Sequence, residues 1–256
     1  MPPDRYRDLF SMARVIDAHA HIGEDKDGHK MGGAGIIKLM DQFGIDRSVV
    51  FALNTARTPK DFVLENTTVY RAFRRYPDRL IPFFRLNPHL DWRKEFNRCR
   101  ELGFMGVKLH PRSQNFPLLS GQAKAIYREC ESTGMPVLIH AGFGVSNAAK
   151  GFYQMKKEFP ALKLIVGHAC FVDLFEAMRL LRKAPFVVLE TSTVRIFDLY
   201  DLLRHFPAEK IVFGSDAPYY DHWVSLQMLV DTALVLRKST REIRGMLGEN
   251  IWGWFI

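Results

Sequence analysis

"RVIDAHAHI", residues 14–22, is a nearly unbroken apolar run that closes on two histidines, His19 and His21. Seven more runs of the same build follow it: "RSVVFALN" (47–54), "LIPFFRLNP" (80–88), "GFMGVKLHP" (103–111), "PVLIHAGF" (136–143), "KLIVGHAC" (163–170), "FVVLETS" (186–192) and "KIVFGSDAP" (210–218). Between them lie segments of helical periodicity such as "GIIKLMDQFG", "AKAIYRECESTG", "GFYQMKKEF" and "DLFEAMRLLRKA". Strands that are apolar throughout and joined by helical crossovers belong to a parallel sheet covered on both faces. Eight such units in 256 residues predict one closed (β/α)₈ barrel, a TIM barrel, over residues 1–256. A doubly wound open sheet is the structural alternative, but no G-x-G-x-x-G turn follows the first run.

Composition agrees with one large α/β domain, since 47% hydrophobic residues supply a sizeable core. No apolar run is long enough to span a membrane, and "MPPDRYRDLFSMARV" lacks the apolar region of a signal peptide, so a soluble cytoplasmic protein is expected. Cys99, Cys130 and Cys170 are far apart and odd in number, which argues against a disulfide framework or a cysteine zinc site. The net charge of +8 is carried largely by residues such as Arg71, Arg74, Arg75, Lys156, Lys157, Arg182 and Lys183 on amphipathic segments. That is a solvated basic surface, and no nucleic-acid partner is expected.

A barrel gathers the C-terminal ends of its strands around one mouth, where its active sites lie. His19 and His21 end the first run, His110 the fourth, His140 the fifth and His168 the sixth. Chance would place about 0.8 of nine histidines at such ends, so five make a group. Alternation along a strand puts His19 and His21 on the inner face, with Ile16, Ala18, Ala20 and Ile22 facing the helices; Lys108 and His110 likewise share a face. An isolated barrel histidine such as His140 is more often a hydrogen-bonded core residue than a ligand. Imidazoles gathered with one carboxylate are instead a zinc-class ligand set, and His19, His21, His140 and Asp216 are read as metal ligands.

These motifs resemble the amidohydrolase superfamily and, within it, the amidohydrolase-related, aminocarboxymuconate semialdehyde decarboxylase-like branch. The resemblance spans the chain and rests on "DAHAHI", "GVKLHP", "LIHAG", "VGHAC", "FGSDAP" and "GENIWGWF" in that order. It implies that His19, His21, His140 and Asp216 bind one divalent metal, usually Zn²⁺, with Mn²⁺, Co²⁺ or Fe²⁺ as alternatives. It also implies that His168 stands beside the metal-bound water as acid or base. Zinc lowers the pKa of such a water to about 7, and Asp216 could accept its proton. Two-metal relatives place a carboxylated lysine or a glutamate in the fourth strand; here Lys108 and His110 stand there, and one metal is expected.

Cations near the mouth point to a small anionic substrate, because the arginine fork matches a carboxylate. Arg57, Arg85, Lys108 and His110 are the candidate substrate contacts, with Arg112 and Arg195 also placed after strands. Glu190 ends the seventh run, where alternation allows either face, and receives no role. Three functions fit: a hydrolase of a small lactone, amide or ester; a decarboxylase of a carboxylated aromatic or muconate-like acid; and a metal-holding binding protein without turnover. The short chain leaves little beyond the barrel and favours the hydrolase. The apolar tail "IWGWFI" either docks on the barrel or lies in an interface, and relatives are often dimers, so a homodimer is expected.

Overall fold

The computed structural model describes residues 13–53 and 62–255. Strand β1 (Ile16–Glu24) makes a short antiparallel pair with β2 (Lys30–Met31) and leads into helix α1 (Gly33–Phe43). Then β3 (Arg47–Ala52), β4 (Leu80–Arg85), β5 (Gly106–Leu109), β6 (Val137–Ile139), β7 (Leu164–Val166), β8 (Val187–Glu190) and β9 (Ile211–Val212) follow. The helices between them are α2 (Val63–Arg75), α3 (Arg93–Glu101), α4 (Gly121–Thr133), α5 (Ala148–Glu158), α6 (Leu174–Leu181) and α7 (Ile196–His205). Helix α8 (His222–Val235) comes after the last strand.

The strands stand in the order β2-β1-β3-β4-β5-β6-β7-β8-β9, and every neighbouring pair from β1 through β9 is parallel. The segment after β9 closes the ring on β1: Ala18 N donates to Phe213 O (2.9 Å), Asp216 N to His19 O (2.7 Å) and His21 N to Ala217 O (2.8 Å). The fold is therefore the expected TIM barrel, with β2 as an addition. Helix ends follow local chemistry. Ser120 caps α4 by accepting from Ala123 N, and Gly134, at φ 69°, ends it in the left-handed conformation that glycine adopts without a steric cost.

Two apolar layers result. The larger lies between strands and helices; the smaller fills the barrel with Ile16, Ala18, Val49, Phe51, Ile81, Phe83, Leu138, Ile165, Val188 and Val212. The inner position of Ile16 and Ala18 corrects the alternation expected from the sequence, which turned both toward the helices. A register shift between Asp17 and Ala20 is the cause. A bulge adds a residue and resets the period, so Ile16 and Ala18 point inward below it while His19 and His21 point inward above it. Ala20 and Ile22 do face the helices. Asp17 anchors this point, accepting from His19 N (3.0 Å), Ser215 N (2.9 Å) and Ser215 Oγ (2.6 Å).

The C-terminal tail belongs to the inner layer. Ile251 and Phe255 pack with the barrel interior, and Phe255 meets Phe83 edge-on at 6.0 Å. Asn250 Nδ2 donates to Ala208 O and Ile211 O, both at 2.8 Å, and the Arg14 guanidinium lies 4.0 Å over Trp252. Docking against the chain's own barrel accounts for the tail's apolar character. Among the described residues no helix is long and apolar enough to cross a membrane.

Candidate metal centre at the barrel mouth

The mouth gathers the strand-end residues as the barrel requires. Asp216 Oδ1 lies 3.2 Å from His19 Nε2 and 3.0 Å from His21 Nε2. His140 Nδ1 lies 3.0 Å from His168 Nε2, and the His110 ring stacks on His140 with centroids 3.8 Å apart. His19 and His168 rings are 4.9 Å apart, which joins the two halves. Phe51 forms the floor, edge-on to His21 at 4.5 Å and beneath Lys108 Nζ at 4.5 Å.

Backbone geometry aims two of these side chains. Asp216 has φ 62°, and after β7 the consecutive residues His168, Ala169 and Cys170 have φ 56°, 46° and 56°. Left-handed backbone costs roughly 1–3 kcal/mol per non-glycine residue, so packing must impose it here. All three residues of that turn are buried.

Burial holds the imidazoles neutral. It drives His19 and His110 well below the usual histidine range and His168 down to about 4, with His21 and His140 lowered as well. Nearby positive charge adds to burial for His19, where Lys108 is the next cause. Burial pushes the Asp216 carboxyl up, but the bond from His21 and the proximity of His168 and Lys108 outweigh it and leave it low. Neutral imidazoles beside an ionised carboxylate are the protonation states that metal ligation needs.

His19, His168 and Asp216 each offer a ligand atom within 4.8 Å of the others, a set compatible with a metal ion. This differs from the expected division of labour: His168, read as acid or base, falls inside the set, while His21 and His140 adjoin it. The His19 lone pair is well prepared. Its Nδ1 meets Glu190 Oε2 at 2.7 Å, and its Nε2 accepts from Lys108 Nζ at 3.1 Å. Proton on Nδ1 and lone pair on Nε2 is the tautomer a metal ligand requires, and a carboxylate behind a histidine is its usual support. His21 Nδ1 is buried with no hydrogen-bond partner among the described residues, a polar atom that a bound group could satisfy.

Glu190, given no role from the sequence, points inward and ties the site together. It is fully buried and also accepts from His168 N (3.1 Å), Ser192 Oγ (3.0 Å) and Ser192 N. Gly214 makes room for it, since a methyl group there would overlap Glu190 Oε1. Ser192 Oγ (2.9 Å) and Thr193 Oγ1 (3.1 Å) reach His168 Nδ1. Tyr219 was also missed; it packs edge-on against His21 at 5.2 Å and donates to the buried Asp25 (2.7 Å). The signal for Tyr219 was its position three residues after Asp216, close to the mouth.

The expected substrate contacts separate. Arg85 is buried, with Nη1 donating to Ala52 O (3.3 Å) and Leu53 O (3.2 Å) and its guanidinium 4.6 Å over Phe62. Burial lowers it to about 10, still a cation at neutral pH. Lys108 is buried against His19 and lowered to about 7 by burial. His110 lines a cavity of about 1190 Å³ that opens at the mouth, together with His140, His168, Asp216, Arg112 and Arg195. Arg57 lies outside the described residues.

A family model described as Amidohydrolase matches residues 16–251. The chain belongs to that family and so to the amidohydrolase superfamily. None of the curated proteins matches it. Among solved structures it is similar to a 2,6-dihydroxybenzoate decarboxylase complexed with 2,6-dihydroxybenzoate, at 17% identity and TM-score 0.71 over 95% of this chain and 98% of that one. It is also similar to a probable 2-pyrone-4,6-dicarboxylic acid hydrolase from Acinetobacter baumannii with citric acid bound, at 18% identity and TM-score 0.70 over 94% and 99%. A third is a dihydroxybenzoic acid decarboxylase from Polaromonas sp. with bound manganese, at 18% identity and TM-score 0.69 over 95% and 97%. At these identities the likeness shows the fold. It spans nearly the whole of hydrolase and decarboxylase chains alike, so the short-chain argument does not separate the two reactions.

Proposed function

We propose that this protein is a metal-dependent hydrolase of a small anionic lactone, amide or ester. The observation that carries the reading is where the charged and imidazole groups sit. Asp216 and His168 line a cavity of about 1190 Å³ whose rim includes the exposed side chains Lys26, Arg112, Ser113 and Phe143. Asp216, with part of its side chain exposed on this cavity, is within reach of solvent, and water is the reactant a hydrolase needs there.

His19, His168 and Asp216 would hold the ion, with His21 and His140 beside them; we assign Zn²⁺, which suits nitrogen and carboxylate donors. Such an ion polarises a substrate carbonyl and acidifies water. The protein's own groups do the rest. Asp216, ionised and with 13% of its side chain exposed, can take a proton from the attacking water at a carboxylate oxygen. His168, its Nδ1 fixed by Ser192 and Thr193, keeps Nε2 directed at the cluster, the atom with which it would hold the ion, and the proton taken by Asp216 is the one returned to the leaving group. Both the hydrolase and the 2,6-dihydroxybenzoate decarboxylase among the similar structures hold carboxylate molecules, which supports an anionic substrate.

The second reading is a decarboxylase of a carboxylated ring, and one observation favours it. Phe143 and Phe171 meet edge-on at 4.9 Å and give the cavity an aromatic wall. The two reactions differ in their products. Metal-loaded protein is incubated in ¹⁸O-water with small anionic lactones, amides and esters, beside carboxylated phenols and muconate-like acids. Solvent ¹⁸O in the product acid is the expected result. Release of CO₂ with no hydrolysis anywhere in the panel would overturn the proposal in favour of the decarboxylase.

A further inference from the structure

The cations around the cavity differ in what already holds them. Lys26 Nζ is 3.7 Å from Asp27, and Arg195 Nε donates to Asp198 at 2.7 Å. Arg85 and Lys108 are buried and absent from the described lining. Arg112 is exposed on the cavity, and its side chain has no hydrogen bond or ion pair with any described residue.

The Arg112 stem nevertheless has a built seat. It lies against Gly144, where φ is +84° and where a Cβ would overlap Arg112 Cδ. The left-handed backbone favours glycine there, and the arginine stem occupies the space that a side chain would fill. The residue before it, Phe143, forms the aromatic wall with Phe171. Gly142 is close-packed too, since a Cβ there would stand 3.0 Å from His140 Cε1 and 3.3 Å from Phe171 Cε1. The five residues His140–Gly144 therefore place a site imidazole, an apolar wall and the seat of an unpaired guanidinium side by side.

We infer that Arg112 and the Phe143–Phe171 wall form the recognition subsite for one carboxylate carried on a flat or apolar body, held beside His140 and Asp216. The chemistry fits one carboxylate. A single guanidinium fork pairs with two carboxylate oxygens, while a phosphate dianion calls for a second free cation, and the neighbouring Arg195 is already paired. The wall faces a ligand's hydrocarbon part, and Phe143, 68% exposed, has surface left to cover. The inference deepens the proposed function by naming what the substrate must carry, and it rests on that reading only for the identity of the reacting bond.

An unreactive pair tests it: 3-phenylpropanoate and its neutral isostere 4-phenylbutan-2-one, a methyl ketone with no hydrolysable bond, titrated calorimetrically into metal-loaded protein of measured metal content. The wild type is expected to prefer the acid by about tenfold or more, the scale of a charge-assisted bond. Arg112→Met should bring that preference to within about twofold while ketone affinity and metal content stay unchanged. Phe171→Ala should weaken both probes alike. A preference that persists in Arg112→Met, equal binding of acid and ketone to the wild type, or no acid binding at about 10 mM would each overturn the inference. Neither probe is turned over, so a preference mapped to Arg112 stands even if the isotope experiment shows no hydrolysis, and the two readings fail separately.

Discussion

Asp216→Asn is expected to lower kcat by on the order of 10²–10⁴-fold with little change in KM. The carboxylate is the one negatively charged group in the candidate metal set, and its Oδ1 lies within reach of both His19 Nε2 and His21 Nε2. Asparagine keeps the shape and one carbonyl oxygen but removes the charge that attracts a cation and the basicity that takes a proton. Substrate held by groups elsewhere on the cavity should bind much as before. Steady-state kinetics on the substrate found in the isotope panel would check this, with circular dichroism to show that the barrel is intact. A rise in KM at unchanged kcat would mean that Asp216 grips substrate and takes no part in the chemistry.

Glu190→Gln is expected to weaken the affinity for the divalent ion by about 10- to 100-fold, the usual cost of losing a carboxylate behind a ligating histidine. Glutamine fits the same space, so the change is electronic. Its carbonyl oxygen in the place of Oε2 still accepts from His19 Nδ1 but carries no charge, and its NH₂ then meets Ser192 N, donor against donor. With no negative charge behind it, the His19 ring is a less basic ligand at Nε2. Because Glu190 also accepts from His168 N and Ser192, some stability goes with it. Chelator-competition titration separates the effects: unchanged metal affinity with a lowered Tm would make Glu190 a purely structural residue.

The barrel was legible because each strand is an apolar run and each crossover carries helical periodicity. Closure made the histidines meaningful, since residues far apart in sequence meet only when strand ends share a mouth. What the sequence concealed came from places where simple periodicity fails. The bulge at Asp17–Ala20 inserts a residue that alternation cannot anticipate, so Ile16 and Ala18 were turned the wrong way. Glu190, the last residue of β8, could have taken either face, and only the space at Gly214 and the donors around it decide for the interior. The left-handed turn at His168–Cys170 brings that histidine within the candidate ligand set, a placement that strand alternation does not describe.

The anionic contacts were harder still. Arginine in a strand and arginine after a strand look alike in sequence, and only burial distinguishes Arg85, bonded to carbonyls inside the fold, from Arg112 on the open cavity. Lys108 was expected to face the barrel and does, yet it spends its bond on His19. In both cases the competing interaction is three-dimensional and has no local signature.

Everything proposed for the mouth requires a divalent ion between His19, His168 and Asp216. Elemental analysis of protein grown with added zinc and purified without chelator tests it most directly, with His19→Ala prepared in parallel. About one equivalent of divalent metal is expected in the wild type, zinc foremost, and its loss in His19→Ala. Metal below about a tenth of an equivalent in the wild type, or equal metal in both proteins, would contradict it.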